Sequence, residues 1–290
     1  MFGSTYRGYG EQGGYPVIRS AVRAVAPLIH LLDASQFSSR PEPRSTIAIF
    51  VRKASWVIGF FVVEEEEADM PGLLLGDEFP NFDADTTIGP IKFHDFLGSS
   101  WGILFSHPKD FTPVCTTELA CACRVSEEFT KRGVKMIALS VDSVEDHHSW
   151  SKDVMGFNGS SEGSLPFPII ADDKRLLSVQ LGMLDPDERD KDGMPLTARC
   201  VFVIGPDKRL KLSILYPATT GRNFDELLRV IDSLQLTAQK KVATPVDWKP
   251  GEKVMVIPSL SEAEAAALFP NGVTTTEVPS GKKYLRYTQL

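Results

Sequence analysis

Cysteine is scarce. Four residues, Cys115, Cys121, Cys123 and Cys200, are spread over 290 positions, too few for a disulfide framework in a chain this long. A reducing compartment follows as the expectation, and there a specially placed cysteine is more often catalytic than structural. Long apolar runs are also missing. No stretch reaches the ~18 uninterrupted apolar residues of a membrane-spanning helix, and the nearest, residues 46–63, is broken by Arg52, Lys53 and Ser55. The chain start has no basic segment leading into an apolar core, which argues against a secretory signal. Positive charge is not in excess: 31 Lys and Arg against 38 Asp and Glu leave a net charge of -7. Electrostatics therefore give a nucleic-acid role no support. No internal repeat is found.

Hydrophobic content of 42% with 24% charge is ordinary for a globular chain with room for one large domain or two modest ones. Residues 1–69 differ from the rest. They open on a Gly- and Tyr-rich start without hydrophobic period, and through Val63 carry seven Arg or Lys against three acids. That composition reads as a poorly ordered leader ahead of Met70 or as an organelle-targeting segment. Dense alternation begins at Met70. The pattern predicts strands over residues 91–94 and 101–105 around a turn at Gly98–Ser100, then a helix over 113–132 with Thr112 as N-cap, Pro113 at its first position and Glu118 in its first turn. A strand over 134–141, a helix over 144–155, a short strand over 167–170 and a helix over 174–184 follow. A hairpin of residues 199–204 and 210–215 and an amphipathic helix over 223–235 close the pattern. This order is that of an α/β domain, a central sheet covered on both faces, over residues 72–237. Residues 238–290 form a looser tail with a capping-box helix at 261–268; it is expected to pack on the main domain or on a partner, its apolar Val254, Val256 and Leu260 suiting an interface.

Cys115 stands where such a sheet places its sites, in the first turn of the helix that follows the 101–105 strand. Unsatisfied backbone N–H groups and the positive helix end favour a thiolate there. Thr112, three residues upstream, can bring a hydroxyl beside the sulfur. Pro108 and Pro113 stiffen and shield the loop. A cation is still required; Arg199 and Arg124 are candidates, Arg199 the better because a charge opening an apolar strand needs a reason. The plain alternative is that Cys115 is one more small buried residue. Elsewhere, Gly98 to Gly102 fits the G-x-S-x-G pattern of serine hydrolases, but the serine precedes a strand instead of a helix. Ser100 then reads as a turn residue, His94 as a surface strand histidine and Asp207 as a hairpin-turn aspartate. The Cys121-x-Cys123 pair is a poor metal site, lacking a second pair of ligands.

The stretches HPKDFTPVCTTEL, KMIALSVDSVEDHHSWSKDV, LPFPIIADD, GMPLTARCVFVIGPDK, LKLSILYPATTGRNFDELLRV and VATPVDWKPG closely resemble the one-cysteine peroxiredoxins, from about Met70 to Leu290. The resemblance implies a thioredoxin-like fold with a smaller C-terminal peroxiredoxin domain, and a thiol peroxidase acting on hydrogen peroxide and lipid hydroperoxides. Cys115 would be the nucleophile, Thr112 and Arg199 would activate it, Pro108 would shape the pocket and His107 would lie beside it. No bound cofactor is implied; glutathione, delivered with a glutathione S-transferase, would be the reductant. For the bifunctional members, the resemblance further implies a calcium-independent phospholipase A2 and lysophospholipid acyltransferase with Ser100 as nucleophile, His94 as base and Asp207 orienting it. It also implies a regulatory threonine at Thr244, a homodimer, contact with membrane surfaces, and a cytoplasmic and lysosomal location. A redox-regulated chaperone without turnover is the competing class. Within the chain no other thiol should reach Cys115: Cys121 and Cys123 lie roughly 9 and 12 Å along the same helix, beyond the ~7 Å Cα separation of a disulfide, and Cys200 should face away if Arg199 faces the site.

Overall fold

The structure, a computed structural model, describes residues 45–50, 59–64 and 73–290 apart from Glu162. Contacts divide the chain into Met1–Met70 and Pro71–Leu290. In the first unit, strands β1 (Ser45–Phe50) and β2 (Gly59–Glu64) form an antiparallel hairpin, Ser45 opposite Glu64. The expectation of a leader or targeting segment otherwise falls outside the described residues. No helix among the described residues is long and apolar enough to cross a membrane.

The second unit opens with a small hairpin, β3 (Asp83–Ala84) and β4 (Ile91–Lys92). Helix α1 (Phe93–Leu97) follows where a strand was expected. Phe93 and Leu97, four residues apart, are both buried; that helical spacing outweighs the short β-like alternation. Gly98 then ends the helix at φ 57°, a conformation that glycine adopts without steric cost. Next come β5 (Trp101–Ser106), α2 (Pro113–Arg124) and α3 (Ser126–Lys131). The single predicted helix breaks at Val125, where the Ser126 hydroxyl takes the Cys123 carbonyl at 2.8 Å and competes with the helical ladder. β6 (Val134–Ser140), α4 (Val144–Phe157) and β7 (Ile169–Ala171) continue the alternation, α4 capped by Ser143.

The helix expected over 174–184 shrinks to α5 (Leu176–Gln180). Its end gives way to a hairpin of β8 (Leu184–Arg189) and β9 (Pro195–Thr197). β10 (Arg199–Ile204), β11 (Leu210–Tyr216) and α6 (Phe224–Gln239) complete the domain, α6 capped by Asn223.

The central sheet has the order β11-β10-β5-β6-β7. β5, β6 and β7 are parallel, and β10 runs antiparallel to β5. Strand alternation sends Ile103, Phe105, Val201 and Val203 into one buried cluster with Trp150 and Leu119, and Leu104, Phe202 and Ile204 into another with Phe79 and Phe93. Each such side chain contributes about 1.5–3 kcal/mol on burial. This is the mixed sheet covered on both faces that the sequence predicts.

The tail differs from expectation. β12 (Val242–Ala243), β13 (Val254–Val256), α7 (Glu262–Leu268), β14 (Thr274–Thr275) and β15 (Arg286–Thr288) build a sheet of order β12-β13-β15-β14. Val254, Val256 and Leu260 are buried there with Trp248 and Phe269, against Leu236 of α6. They are this region's own core and not an exposed interface. The capping box of Ser261 and Glu264 forms as predicted.

Candidate active site

The site is assembled where β5 ends. The Ser106 hydroxyl donates to the Ala198 carbonyl at 2.6 Å and accepts from the Cys200 N–H at 3.0 Å, fixing the strand end against β10. The chain then turns through His107 and Pro108, both buried. The Asp110 N–H donates to Asp142 Oδ2 at 2.8 Å. Phe111 has a positive φ of 56° and a side chain 56% exposed, a strained conformation for a bulky residue. Thr112 is extended at the N-cap, Pro113 starts the helix, and Cys115 is its third residue. The Cys115 N–H therefore belongs to the first turn, whose donors have no partner inside the helix. Thr112 does not use its hydroxyl on the helix; it donates to the Lys109 carbonyl at 2.8 Å.

The Cys115 side chain is 0% exposed. A thiolate in such surroundings is unfavourable unless it is paired. Arg199 supplies the pair, with Nη1 3.4 Å from Sγ. The guanidinium is held on three sides: Nη1 also donates to Glu118 Oε2 at 2.5 Å, while Nε and Nη2 donate to the Ala218 carbonyl at 2.9 and 2.6 Å. Glu118 Oε1 accepts from the Arg222 N–H and Nε at 2.7 and 2.9 Å, and Oε2 from Arg222 Nη2 at 2.9 Å. All three charged side chains are buried. Two guanidiniums against one carboxylate leave one positive charge without a partner, and a Cys115 thiolate neutralises it. Burial alone would raise the Glu118 carboxyl, but the charge and hydrogen bonds of Arg222, aided by Arg199, hold it below its ordinary 4.5.

Arg124, the other cation candidate, lies at the far end of α2 and donates to Asn158 Oδ1 at 2.6 Å on the exposed surface; it takes no part in the site. Glu118 and Arg222 were not singled out by sequence. Glu118, expected in the first turn of the helix, lies beyond it. The readable signal was its spacing: three residues after Cys115 and beside Leu119, it shares the buried face.

Burial disfavours the thiolate at two of the three other cysteines. Burial pushes the Cys123 thiol up to about 12, opposed weakly by Arg124, and the Cys200 thiol up to about 11, opposed weakly by Ser106 and Arg222. Cys121 and Cys123 share helix α2 with Cys115. Cys200 packs in the cluster on the opposite side of the sheet from Cys115.

Behind the loop, His107 Nε2 is 2.7 Å from Asp110 Oδ1, and Asp110 Oδ2 is 2.6 Å from His147 Nδ1. Burial would raise the Asp110 carboxyl, but the hydrogen bonds and charges of the two histidines outweigh it and bring it from 3.8 to about 2. Because the folded value is depressed, this contribution is complete above the ordinary 3.8 and is lost as pH falls towards 2. Acid titration should therefore remove about 2 kcal/mol from the unfolding free energy through Asp110, with Glu118 adding to the same loss. Urea unfolding between about pH 5 and pH 2 measures it; a flat stability over that window contradicts the assignment.

The three residues of the second expected site are not joined. His94 lies on α1, its Nε2 2.7 Å from the Phe79 carbonyl. Asp207 sits in the hairpin turn and pairs with Lys211 at 2.5 Å, four residues on, so it does not orient His94. Ser100 lines a surface groove of about 580 Å³ with Phe96, Met136, Pro166 and Pro168. Among the described residues no hydrogen bond links Ser100, His94 and Asp207. Thr244 Oγ1 is 2.7 Å from Ser233 Oγ on α6, a contact that a phosphoryl group would break.

A buried thiol at a helix start, held by an arginine on the neighbouring strand of a thioredoxin-like sheet, defines a thiol peroxidase class. The profile of the AhpC/TSA family matches residues 75–213, and that of the C-terminal domain of 1-Cys peroxiredoxin matches residues 233–272. This chain belongs to the peroxiredoxin family, in its one-cysteine class. It is 74% identical to peroxiredoxin-6 of Gallus gallus over 220 residues, 76% of this chain and 98% of the relative. To peroxiredoxin-6 of Homo sapiens it is 69% identical over 221 residues, covering 76% and 99%. Among solved structures, a cysteine-to-serine mutant of the peroxiredoxin 6 of Arenicola marina superposes with a TM-score of 0.73 at 66% identity, covering 75% of this chain and 98% of that one. A yeast mitochondrial 1-Cys peroxiredoxin, whose thiol is resolved via glutathione/thioredoxin systems, gives 0.68 at 46% identity, covering 75% and 100%.

Proposed function

We propose that this peroxidase reduces hydrogen peroxide and phospholipid hydroperoxides with glutathione as its reductant. The observation that carries the reading is the isolation of Cys115: no other thiol of the chain can reach it, so the oxidised sulfur must be reduced from outside. The Cys115 thiolate attacks the terminal peroxide oxygen; an S–O bond forms as the O–O bond breaks, the hydrogen stays on the transferred oxygen, and the released alkoxide (hydroxide from hydrogen peroxide) takes a proton from water. The resulting sulfenic acid accepts attack by a glutathione thiolate, loses its oxygen as water and becomes a mixed disulfide. A second glutathione releases glutathione disulfide and restores Cys115. A glutathione S-transferase would deliver the first thiolate, since Cys115 is closed to solvent. Steady-state peroxide consumption with glutathione and a transferase tests this. A chaperone without turnover would oxidise once and stop.

The same reading includes a cytoplasmic and lysosomal homodimer. Edge strand β11, with Leu215 66% exposed, offers unpaired backbone groups to a second copy. A phospholipase A2 and acyltransferase activity at Ser100 is supported by the groove the serine lines, part apolar (Phe96, Met136, Pro166) and part polar (Glu127, Lys135). It requires His94 and Asp207 to leave their present partners. Ser100→Ala should then abolish phospholipid hydrolysis without lowering peroxide reduction, measured on mixed micelles; hydrolysis at the original rate overturns this second activity.

A further inference from the structure

The groove beside Ser100 carries two charges that no step at Cys115 uses, Lys135 and Glu127. Lys135 stands on β6 between the buried Val134 and Met136, and its own side chain is exposed. It is nonetheless pinned. Its Nζ donates to the Phe96 carbonyl at 2.6 Å and lies 5.5 Å from the centre of the Phe96 ring. An ammonium has three N–H donors, so two remain for another acceptor. Among the described residues Lys135 has no carboxylate partner. Glu127 is in the first turn of α3 and is exposed. Its charge is felt by Lys131, but that ammonium is paired with Glu128 at 2.6 Å. Glu127 itself forms no ion pair among the described residues.

The two charges reach the groove from opposite faces of the sheet, which keeps them apart. Phe129 of α3 is buried in the cluster of Phe105 and Trp150, whereas Phe96, which holds Lys135, packs on the cluster of Phe93 and Leu104. Met136 and Pro168 give the same groove an apolar wall. The Ser100 N–H is spent on the Leu97 carbonyl at 3.1 Å, while its hydroxyl has no partner among the described residues. At about 580 Å³ the groove has the size of a small-molecule site. A fixed cation, a separate fixed anion and an apolar wall are the complement of a zwitterion carried on an apolar stem. A ligand with negative charge alone would gain Lys135 but meet Glu127 as a like charge.

Resting on the Ser100 reading above, we propose that this groove recognises the zwitterionic headgroup of a phospholipid. Lys135 donates to the phosphodiester oxygens, Glu127 faces the choline or ethanolamine nitrogen, and the glycerol esters are left on the side of Ser100. Because its stem already rests on Phe96, Lys135 loses little freedom when the phosphate arrives.

Titration with dihexanoylphosphatidylcholine and dihexanoylphosphatidylglycerol, both below their micelle concentrations, tests the assignment. The full chain carrying Ser100→Ala is used, so that the ligand is not consumed. The choline lipid should bind more tightly than the glycerol lipid. Adding Lys135→Gln should weaken both about 5–10-fold, the loss of a charge-assisted hydrogen bond to each phosphate. Adding Glu127→Gln should weaken the choline lipid about fivefold and leave the glycerol lipid as tight or tighter. Both side chains are exposed, and an unchanged rate of peroxide reduction at Cys115 checks that each variant is folded. Unchanged binding in Lys135→Gln, an equal loss of both lipids in Glu127→Gln, or no binding of the choline lipid overturns the proposal. The Ser100 reading fails separately, when Ser100→Ala hydrolyses phospholipid at the original rate.

Discussion

Cys115→Ser is expected to abolish peroxide reduction, with a loss of more than about 10³-fold in the second-order rate, because a neutral hydroxyl is a far weaker nucleophile than a thiolate. The fold should survive. Serine is close to cysteine in volume, and the Arenicola marina relative was solved as a cysteine-to-serine mutant with this fold. The substitution leaves Arg199 and Arg222 facing Glu118 without the fourth charge. The variant core therefore carries one uncompensated cation, and some stability should be lost with the activity. Stopped-flow reduction of hydrogen peroxide together with urea unfolding separates the two effects. A variant that keeps the wild-type rate removes Cys115 from the mechanism.

Arg199→Lys should be nearly as damaging, although it conserves charge. The guanidinium reaches Cys115 Sγ, Glu118 Oε2 and the Ala218 carbonyl at once. A lysine ammonium is a point charge on a flexible stem and cannot reproduce that planar fork. Losing a preorganised donor at a site of developing charge costs about 10²–10³ in rate, roughly 3–4 kcal/mol. The pH dependence of Cys115 alkylation shows how much of that loss is thiolate population and how much is transition-state stabilisation. Glu118→Gln provides the contrast. It strands two buried guanidiniums, so unfolding free energy should fall by about 3–5 kcal/mol. Equal peroxide rates for Arg199→Lys and wild type would show that the arginine only fills space.

What could be read from sequence was what is encoded locally. Thr112, Pro113 and Cys115 occupy the N-cap, first and third positions of the helix start, so the thiol's placement was visible in a few residues. Arg199 was visible because a charge at the head of an apolar strand demands a partner. Glu118 was not: its two partners lie 81 and 104 residues away, and only tertiary pairing distinguishes it from an ordinary helix acid. Arg222 was hidden in a polar loop for the same reason. The β8–β9 hairpin escaped because β8 is rich in Asp, Glu and Arg without apolar alternation and β9 is only three residues long. Helix α1 escaped because five residues carry too little periodicity to separate from a strand. In the tail, Val254, Val256 and Leu260 were legible as apolar but not as the core of a small sheet, since the strands that pair with them are two or three residues long.

The central claim is that one sulfur is oxidised by peroxide and that nothing else in the chain can resolve it. Adding one equivalent of hydrogen peroxide in the presence of dimedone, followed by peptide mapping, tests this directly. The account predicts a sulfenic-acid adduct on Cys115, with Cys121, Cys123 and Cys200 still reduced. A disulfide joining Cys115 to any of these three within the chain, or first oxidation at one of them, would contradict it.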